Sequence, residues 1–205
     1  MNDPIDWNQR YTTGNTPWDS GMVSKELLRV LAEHRIAPCR MLELGCGTGT
    51  NAIHLAKNGF EVAAIDVASL ALEQARVKAR HANVAIDFRE VDILRPHDLG
   101  GPFRFVFDRG VYHSLRGVGL WGFLQAISRA TEVGGFYLTL AGNANDPTDE
   151  DKGPPRVHAH ELCQELAPLF HLVQLREFTF DGVKIDGELV APLGWSALLR
   201  RRPTE

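Results

Sequence analysis

The sequence predicts a doubly wound α/β fold. Three observations carry that expectation: seven short apolar runs, helix-patterned segments between them, and a glycine-rich turn at 45–49 joining the first run to a helix. The runs fall at 40–44, 61–66, 85–89, 103–108, 135–140, 172–179 and 195–199. Several are continuously apolar, as strands covered on both faces must be. Alternating strand and helix units favour parallel pairing with right-handed crossovers and helices on both faces of the sheet.

The elements follow in order. Ser24 can accept from the first turn of a helix carrying Leu27, Leu28 and Leu31. Residues 41–50 read Met-Leu-Glu-Leu-Gly-Cys-Gly-Thr-Gly-Thr, a strand ending near Glu43 and turning through Gly45, Gly47 and Gly49. Such a loop lets backbone approach a ligand and presents free N–H groups at a helix start. The dinucleotide spacing G-x-G-x-x-G would need its third glycine at position 50, which is Thr50. The spacing present is G-x-G-x-G.

Asp66 ends the second strand, where a carboxylate either accepts from the hydroxyls of a ribose or caps the helix starting near Ser69. That helix has Ala68, Leu72, Ala75 and Ala79 on one face. Asp92 follows the third strand, with Ile93 beside it. It can accept from an adenine amino group while Ile93 packs on the ring, or it is a turn residue before Arg95-Pro96. The fourth strand runs into Asp108, Arg109, Tyr112 and His113, hydrogen-bonding groups at a carboxyl edge where open α/β sheets bind ligands. Stripes at Leu120, Phe123, Leu124, Ile127 and at Leu162, Leu166, Leu169 read as core faces. Residues 1–20 and the polar stretch 142–157 break the alternation and can cover the same edge.

Composition bounds the function. The chain has 205 residues, 44% apolar and 23% charged, with net charge −4. These values suit one soluble domain over 1–205. The acidic balance gives no footprint for nucleic acid, and the basic cluster Arg200–Arg202 reads as a solvated tail. No run reaches the ~20 residues of a membrane span, and no basic or apolar leader opens the chain. Three cysteines without C-x-x-C spacing favour neither a disulfide framework nor zinc. His158 and His160, two apart at a helix start, do not share a face and make a poor metal pair. The remaining histidines (His34, His54, His81, His97, His171) read as surface or packing positions. A reduced cytoplasmic enzyme, monomeric or dimeric, with no metal, is the simplest expectation.

These landmarks resemble the class I S-adenosylmethionine (SAM) methyltransferases over nearly the whole chain. Trp7, Arg10-Tyr11, Gly14, Thr16-Pro17-Trp18-Asp19 and Gly21 resemble the N-terminal cap of the thiopurine, thiol and halide group. Asp108-Arg109-Gly110 and Gly153-Pro154-Pro155-Arg156-Val157 resemble that group too. His113 in Tyr-His-Ser-Leu is closer to the tellurite-resistance methyltransferases.

The resemblance implies a Rossmann-like sheet of seven strands with the last antiparallel, a cap over 1–36 and a catalytic core over 37–205. It implies SAM as donor and S-adenosylhomocysteine (SAH) as product. Donor contacts would come from Glu43, Gly45, Cys46, Gly47, Gly49, Asp66, Val67, Asp92, Ile93 and Asp108, with Trp18 near the sulfonium. Acceptor contacts would come from Tyr11, Trp18, Arg109, Tyr112 and Arg156, and proton or anion handling from Asp108, Arg109 or His113. The implied reaction methylates a small thiol or related chalcogen, and oxygen, nitrogen or carboxylate acceptors form the second reading. Rivals are a NAD-dependent oxidoreductase, which the glycine spacing opposes, a non-catalytic SAM-binding partner, and a nucleic-acid methyltransferase, which the charge opposes.

Overall fold

The computed structural model describes residues 5–95, 98–148, 154–185 and 188–203. The chain runs α1 (Trp7–Thr13), α2 (Lys25–Glu33), β1 (Arg40–Leu44), α3 (Thr50–Lys57), β2 (Glu61–Asp66), α4 (Ser69–His81) and β3 (Asp87–Glu90). It continues with β4 (Phe103–Arg109), α5 (Val111–Ala130), β5 (Thr131–Asn143), β6 (Arg156–Val157), α6 (Ala159–Leu166) and β7 (Phe170–Thr179). It closes with β8 (Val183–Ile185), β9 (Glu188–Val190) and β10 (Leu193–Arg201).

The main sheet has the order β3-β2-β1-β4-β5-β10-β7, with the two-residue β6 added beside β5. Pairings through β5 are parallel, and β10 lies antiparallel to both β5 and β7. The expected doubly wound sheet with an antiparallel last strand is therefore what forms. Order reverses between β1 and β4, so the crevice at their carboxyl ends is where this topology leaves room for a ligand.

Period-2 alternation divides the core between the two faces. Leu42, Leu44 and Val106 face one way, joining Tyr112, Phe123 and Ile127 of α5 and Leu162 and Leu166 of α6. Met41, Phe105 and Phe107 face the other, joining Leu27 and Val30 of α2, Leu55 of α3 and Leu72 of α4. Ser24 caps α2 by accepting from Leu27 N–H at 3.3 Å. The stripe of Ala71, Leu72, Ala75 and Ala79 on α4 is buried, as its spacing requires.

Four expectations are corrected. Residues 7–13 form a helix rather than irregular cover, with Asp6 accepting from Gln9 N–H at 3.0 Å as its cap. β8 and β9 form a separate hairpin between β7 and β10. Arg200–Arg202 is no tail: β10 runs through Arg201, and the Arg202 Nε donates to the Phe170 carbonyl at 3.2 Å. His158 lies before α6, as its N-cap in a capping box with Glu161, and its ring stacks on His160 with centroids 5.5 Å apart. Pro96, His97 and Gly153, named in the sequence reading, lie outside the described residues, as do 149–152 of the polar loop. Among the described residues no helix is long and apolar enough to cross a membrane.

Phe107 is fully buried between β4 and the α2–α3 layer. Phe107→Ala should lower unfolding stability by about 3–5 kcal/mol in urea titration, through lost transfer energy and the cavity left behind.

Candidate functional site

The site is built where β1 runs out. Gly45 and Gly47 both have positive φ, and both are pressed by neighbours. A Cβ on Gly45 would fall 2.4 Å from Val111 Cγ2, and one on Gly47 would fall 2.8 Å from the Tyr11 hydroxyl. Only glycine permits that turn and those approaches together. Cys46 N–H still donates to Ile65 O at 3.0 Å, and Gly49 N–H turns back to Cys46 O at 2.9 Å before α3 begins.

Asp66, at the end of β2, ties this loop down. Its Oδ2 accepts from Gly47 N–H and its Oδ1 from Ala68 N–H, both at 2.8 Å. Burial pushes its pKa up, while those backbone donors pull it down. The Val67 N–H adds to that pull, and Asp66 lies beside the cleft rather than among the residues lining it. Glu43, in β1, is almost fully buried, and burial pushes its carboxyl up to about 8.

The N-terminal segment closes over the loop. Trp18 Nε1 donates to the Tyr11 hydroxyl at 3.3 Å, Trp7 meets the Trp18 ring edge-on at 5.4 Å, and the Arg10 guanidinium lies 5.3 Å from that ring. Burial drives the Tyr11 hydroxyl far above its ordinary pKa, so it stays neutral. Asn8 Oδ1 accepts from Leu70 N–H at 3.2 Å and from the Ser69 hydroxyl at 3.3 Å, fastening α1 to α4. Thr48 donates to Asp19 Oδ1 at 3.0 Å and accepts from Lys78 Nζ at 2.5 Å. Beneath this cover is a cleft of about 450 Å³, open mouth included. Tyr11, Trp18, Asp19, Glu43, Gly45 to Thr48, Asn51 and Arg109 are among the residues lining it.

The groups on β4 and α5 differ from their expected roles. Asp108 is fully buried: Oδ1 accepts from Val111 N–H at 2.9 Å and Tyr112 N–H at 3.1 Å, and Oδ2 from the Tyr137 hydroxyl at 2.6 Å. It starts α5 and has no exposed oxygen for donor or proton. Tyr112 points to the opposite face, donating to Glu165 Oε2 at 2.5 Å, and is no acceptor contact. Arg109 does line the cleft. Its guanidinium is engaged by the Trp18 carbonyl at 3.1 Å and the Asp181 carbonyl at 2.9 Å, so it clamps the cap to the β7–β8 turn.

His113 Nδ1 accepts from Gly142 N–H at 2.8 Å. An amide can only donate, so the neutral ring carries its proton on Nε2, and no basic nitrogen is left open. Burial and the Arg109 charge lower its pKa to about 3. His113 is therefore not a general base. Arg156 donates to the Asp146 and Thr148 carbonyls at 3.0 and 2.8 Å, shaping the loop after β5.

Val67, Asp92 and Ile93 lie further along the same carboxyl edge, outside the cleft. Asp92 Oδ1 accepts from Leu94 N–H at 3.0 Å, a turn role that leaves it partly exposed, and Ile93 packs on the core. Asn51 and Asp19 were not singled out as site residues. Asn51 follows Glu43 by eight residues on the first turn of α3, a spacing that gains meaning only once strand and helix pack together.

Residues 41–135 match a family model described as a methyltransferase domain. That stretch includes the glycine loop, Asp66 and Asp108, so the likeness to methyltransferase domains falls on the carboxyl edge just described. The chain is 29% identical over 150 residues to a 2-heptyl-1-hydroxyquinolin-4(1H)-one methyltransferase of Mycobacteroides abscessus, covering 71% of this chain and 64% of that protein. It is 26% identical over 174 residues to a probable thiol methyltransferase of Arabidopsis thaliana, covering 80% and 72%. A solved structure described as the conversion of a disulfide bond into a thioacetal group during echinomycin biosynthesis superposes with a TM-score of 0.80 at 24% identity, covering 94% of this chain and 89% of that one. The chain spans 64% and 52% of the first curated relatives it matches. Methyltransferase domains of this kind take SAM as donor, and one observation here fits it: the orphaned Glu43 Oε2 suits the α-ammonium of the donor's amino-acid tail.

The His113 assignment is open to direct measurement. Its unfolded pKa is ~6.5 and its folded value is about 3. The unfolded chain alone takes up a proton below pH 6.5, so this residue's share of stability is lost as pH falls toward 3. Nitrogen NMR should show a neutral Nε2–H ring that does not titrate between pH 8 and 5. A midpoint near 6.5 would restore His113 as a candidate base.

Proposed function

We propose that this protein methylates a small acceptor whose nucleophile ionises without enzymic help, a thiol or related chalcogen above all. The observation that supports this reading is the locked His113 tautomer beside the closed Asp108 carboxylate. The two groups best placed to abstract a proton cannot do so. A thiol with pKa ~8.5 is partly ionised at neutral pH and needs little assistance. The Arabidopsis relative is named a probable thiol methyltransferase, which agrees.

The residues divide the work. Gly45, Cys46 and Gly47 with Glu43 would receive the methionyl tail, Asp66 the ribose hydroxyls, and Asp92 with Ile93 the adenine. Trp18 would offer its ring face to the sulfonium. SAM supplies a methyl carbon on a charged leaving group. A thiolate lone pair would form the new S–C bond while the old C–S pair returned to the donor sulfur, leaving SAH. The thiol proton departs to solvent before attack. Cap residues 1–36 and Arg109 would align the acceptor and keep water out.

A second reading has its own support: the Mycobacteroides relative is named for a 1-hydroxyquinolone, whose N–OH is acidic enough to meet the same requirement. A panel of sulfide, selenide, alkyl and aryl thiols, thiopurines, halides and N-hydroxyquinolones, read by mass spectrometry, separates the two. We expect methylated product with thiols, at rates that follow acceptor ionisation. Product only from N-hydroxyquinolones would move the assignment to oxygen, and no product from any member would remove it.

The donor assignment has a separate check. Asp66→Ala should weaken SAH binding by roughly tenfold or more, as loss of a charged hydrogen-bond acceptor does; unchanged affinity would remove Asp66 from the ribose site.

A further inference from the structure

Glu43 has one oxygen too many for its surroundings. It sits on the β1 face that meets α2 and α3, 2% exposed, and it lines the cleft. Its Oε1 accepts from Asn51 Nδ2 at 3.2 Å. Its Oε2 is buried with no hydrogen-bond partner. Asn51 cannot reverse its amide, because Oδ1 accepts from Ser24 N–H at 3.0 Å, and so Nδ2 must face the carboxyl. A carboxyl held this way is stable as the neutral acid, or as the anion with a cation against Oε2.

We propose that ligand binding in the donor cleft expels a proton from Glu43, with Asn51 as the positioning residue that keeps Oε2 turned toward the incoming ammonium. This rests on the donor reading above. The α-ammonium is common to SAM and SAH, whereas the sulfonium is lost on transfer, so both ligands are recognised by the same exchange. The Glu43 O–H bond breaks, its proton goes to solvent, and the carboxylate pairs with the ammonium. No charge is left buried alone in either state.

The neighbouring groups set the direction. Asp66 from β2 opposes ionisation of Glu43, and Arg109 from β4 favours it, as do the Asn51 amide and the Ala52 N–H of α3. Cys46 in the loop stays a thiol, and Tyr11 from the cap stays neutral. Asp19, also from the cap, lines the same cleft. Burial is the largest influence and sets the carboxyl at about 8. Without ligand Glu43 therefore keeps its proton at pH 7, and ligand affinity climbs as pH rises toward 8 and levels off above it.

Calorimetric titration of SAH at pH 6.5, in two buffers of different ionisation enthalpy, counts the protons. We expect release of close to one proton per SAH, and affinity rising about tenfold per pH unit from 6 to 7.5. Glu43→Gln should bind more weakly, with that release gone and a flat pH profile. Asn51→Asp keeps the acceptor for Ser24 and adds a second carboxyl beside Glu43, so the midpoint should move to higher pH. Wild-type release no greater than that of Glu43→Gln overturns the proposal. So does an unmoved midpoint in Asn51→Asp, which decides the matter if Glu43→Gln does not fold. Absence of SAH binding at every pH would instead overturn the donor reading itself.

Discussion

The missing side chains at Gly45 and Gly47 are the constraint on which the site depends. Because neither residue has a Cβ, Val111 at the start of α5 and Tyr11 of the cap both come to rest on the loop. That contact fixes where the cap lies, and the cap in turn encloses the cleft with Trp18, Asp19 and Arg109. Any side chain at either glycine would strain the left-handed turn and push against Val111 or Tyr11.

Acidic groups crowd this carboxyl edge. Glu43, Asp66 and Asp108 end or nearly end three adjacent strands, and Asp19 hangs over them from the cap. Their neutralisation is mostly not by cations. Asp66 is held by the Gly47 N–H of the loop and the Ala68 N–H at the start of α4, and Asp108 by two N–H groups at the start of α5 and by Tyr137. Amide donors of this kind are fixed by the fold and cost no side-chain ordering, so two carboxylates become permanent parts of the scaffold. Glu43 keeps a buried oxygen with no hydrogen-bond partner, and the Arg109 guanidinium is spent on two carbonyls.

Strands β1 and β2 were legible to the residue, because a buried parallel strand is a short apolar run bounded by a charge or glycine at each end. The glycine loop was legible for a different reason: its spacing is set by backbone geometry alone. The roles of Asp108, Tyr112 and His113 were not. Being polar at a strand's carboxyl end looks the same in sequence whether a side chain meets a ligand or an amide of its own chain. Only tertiary packing supplies Gly142 for His113 and Glu165 for Tyr112. Helix α1 was missed because it buries no apolar stripe; it is held by rings and by polar contacts to distant segments.

Those distant contacts carry a consequence for α4. Its N-cap position is Ala68, which has no side-chain acceptor to offer the first turn. The acceptor comes from Asn8, more than sixty residues earlier, at the Leu70 N–H. A missing N-terminal acceptor costs a helix ~1 kcal/mol, so α4 is completed only when α1 is docked. Opening the cap frays the helix that follows Asp66, and the carboxyl edge around that carboxylate loosens together with the segment above it.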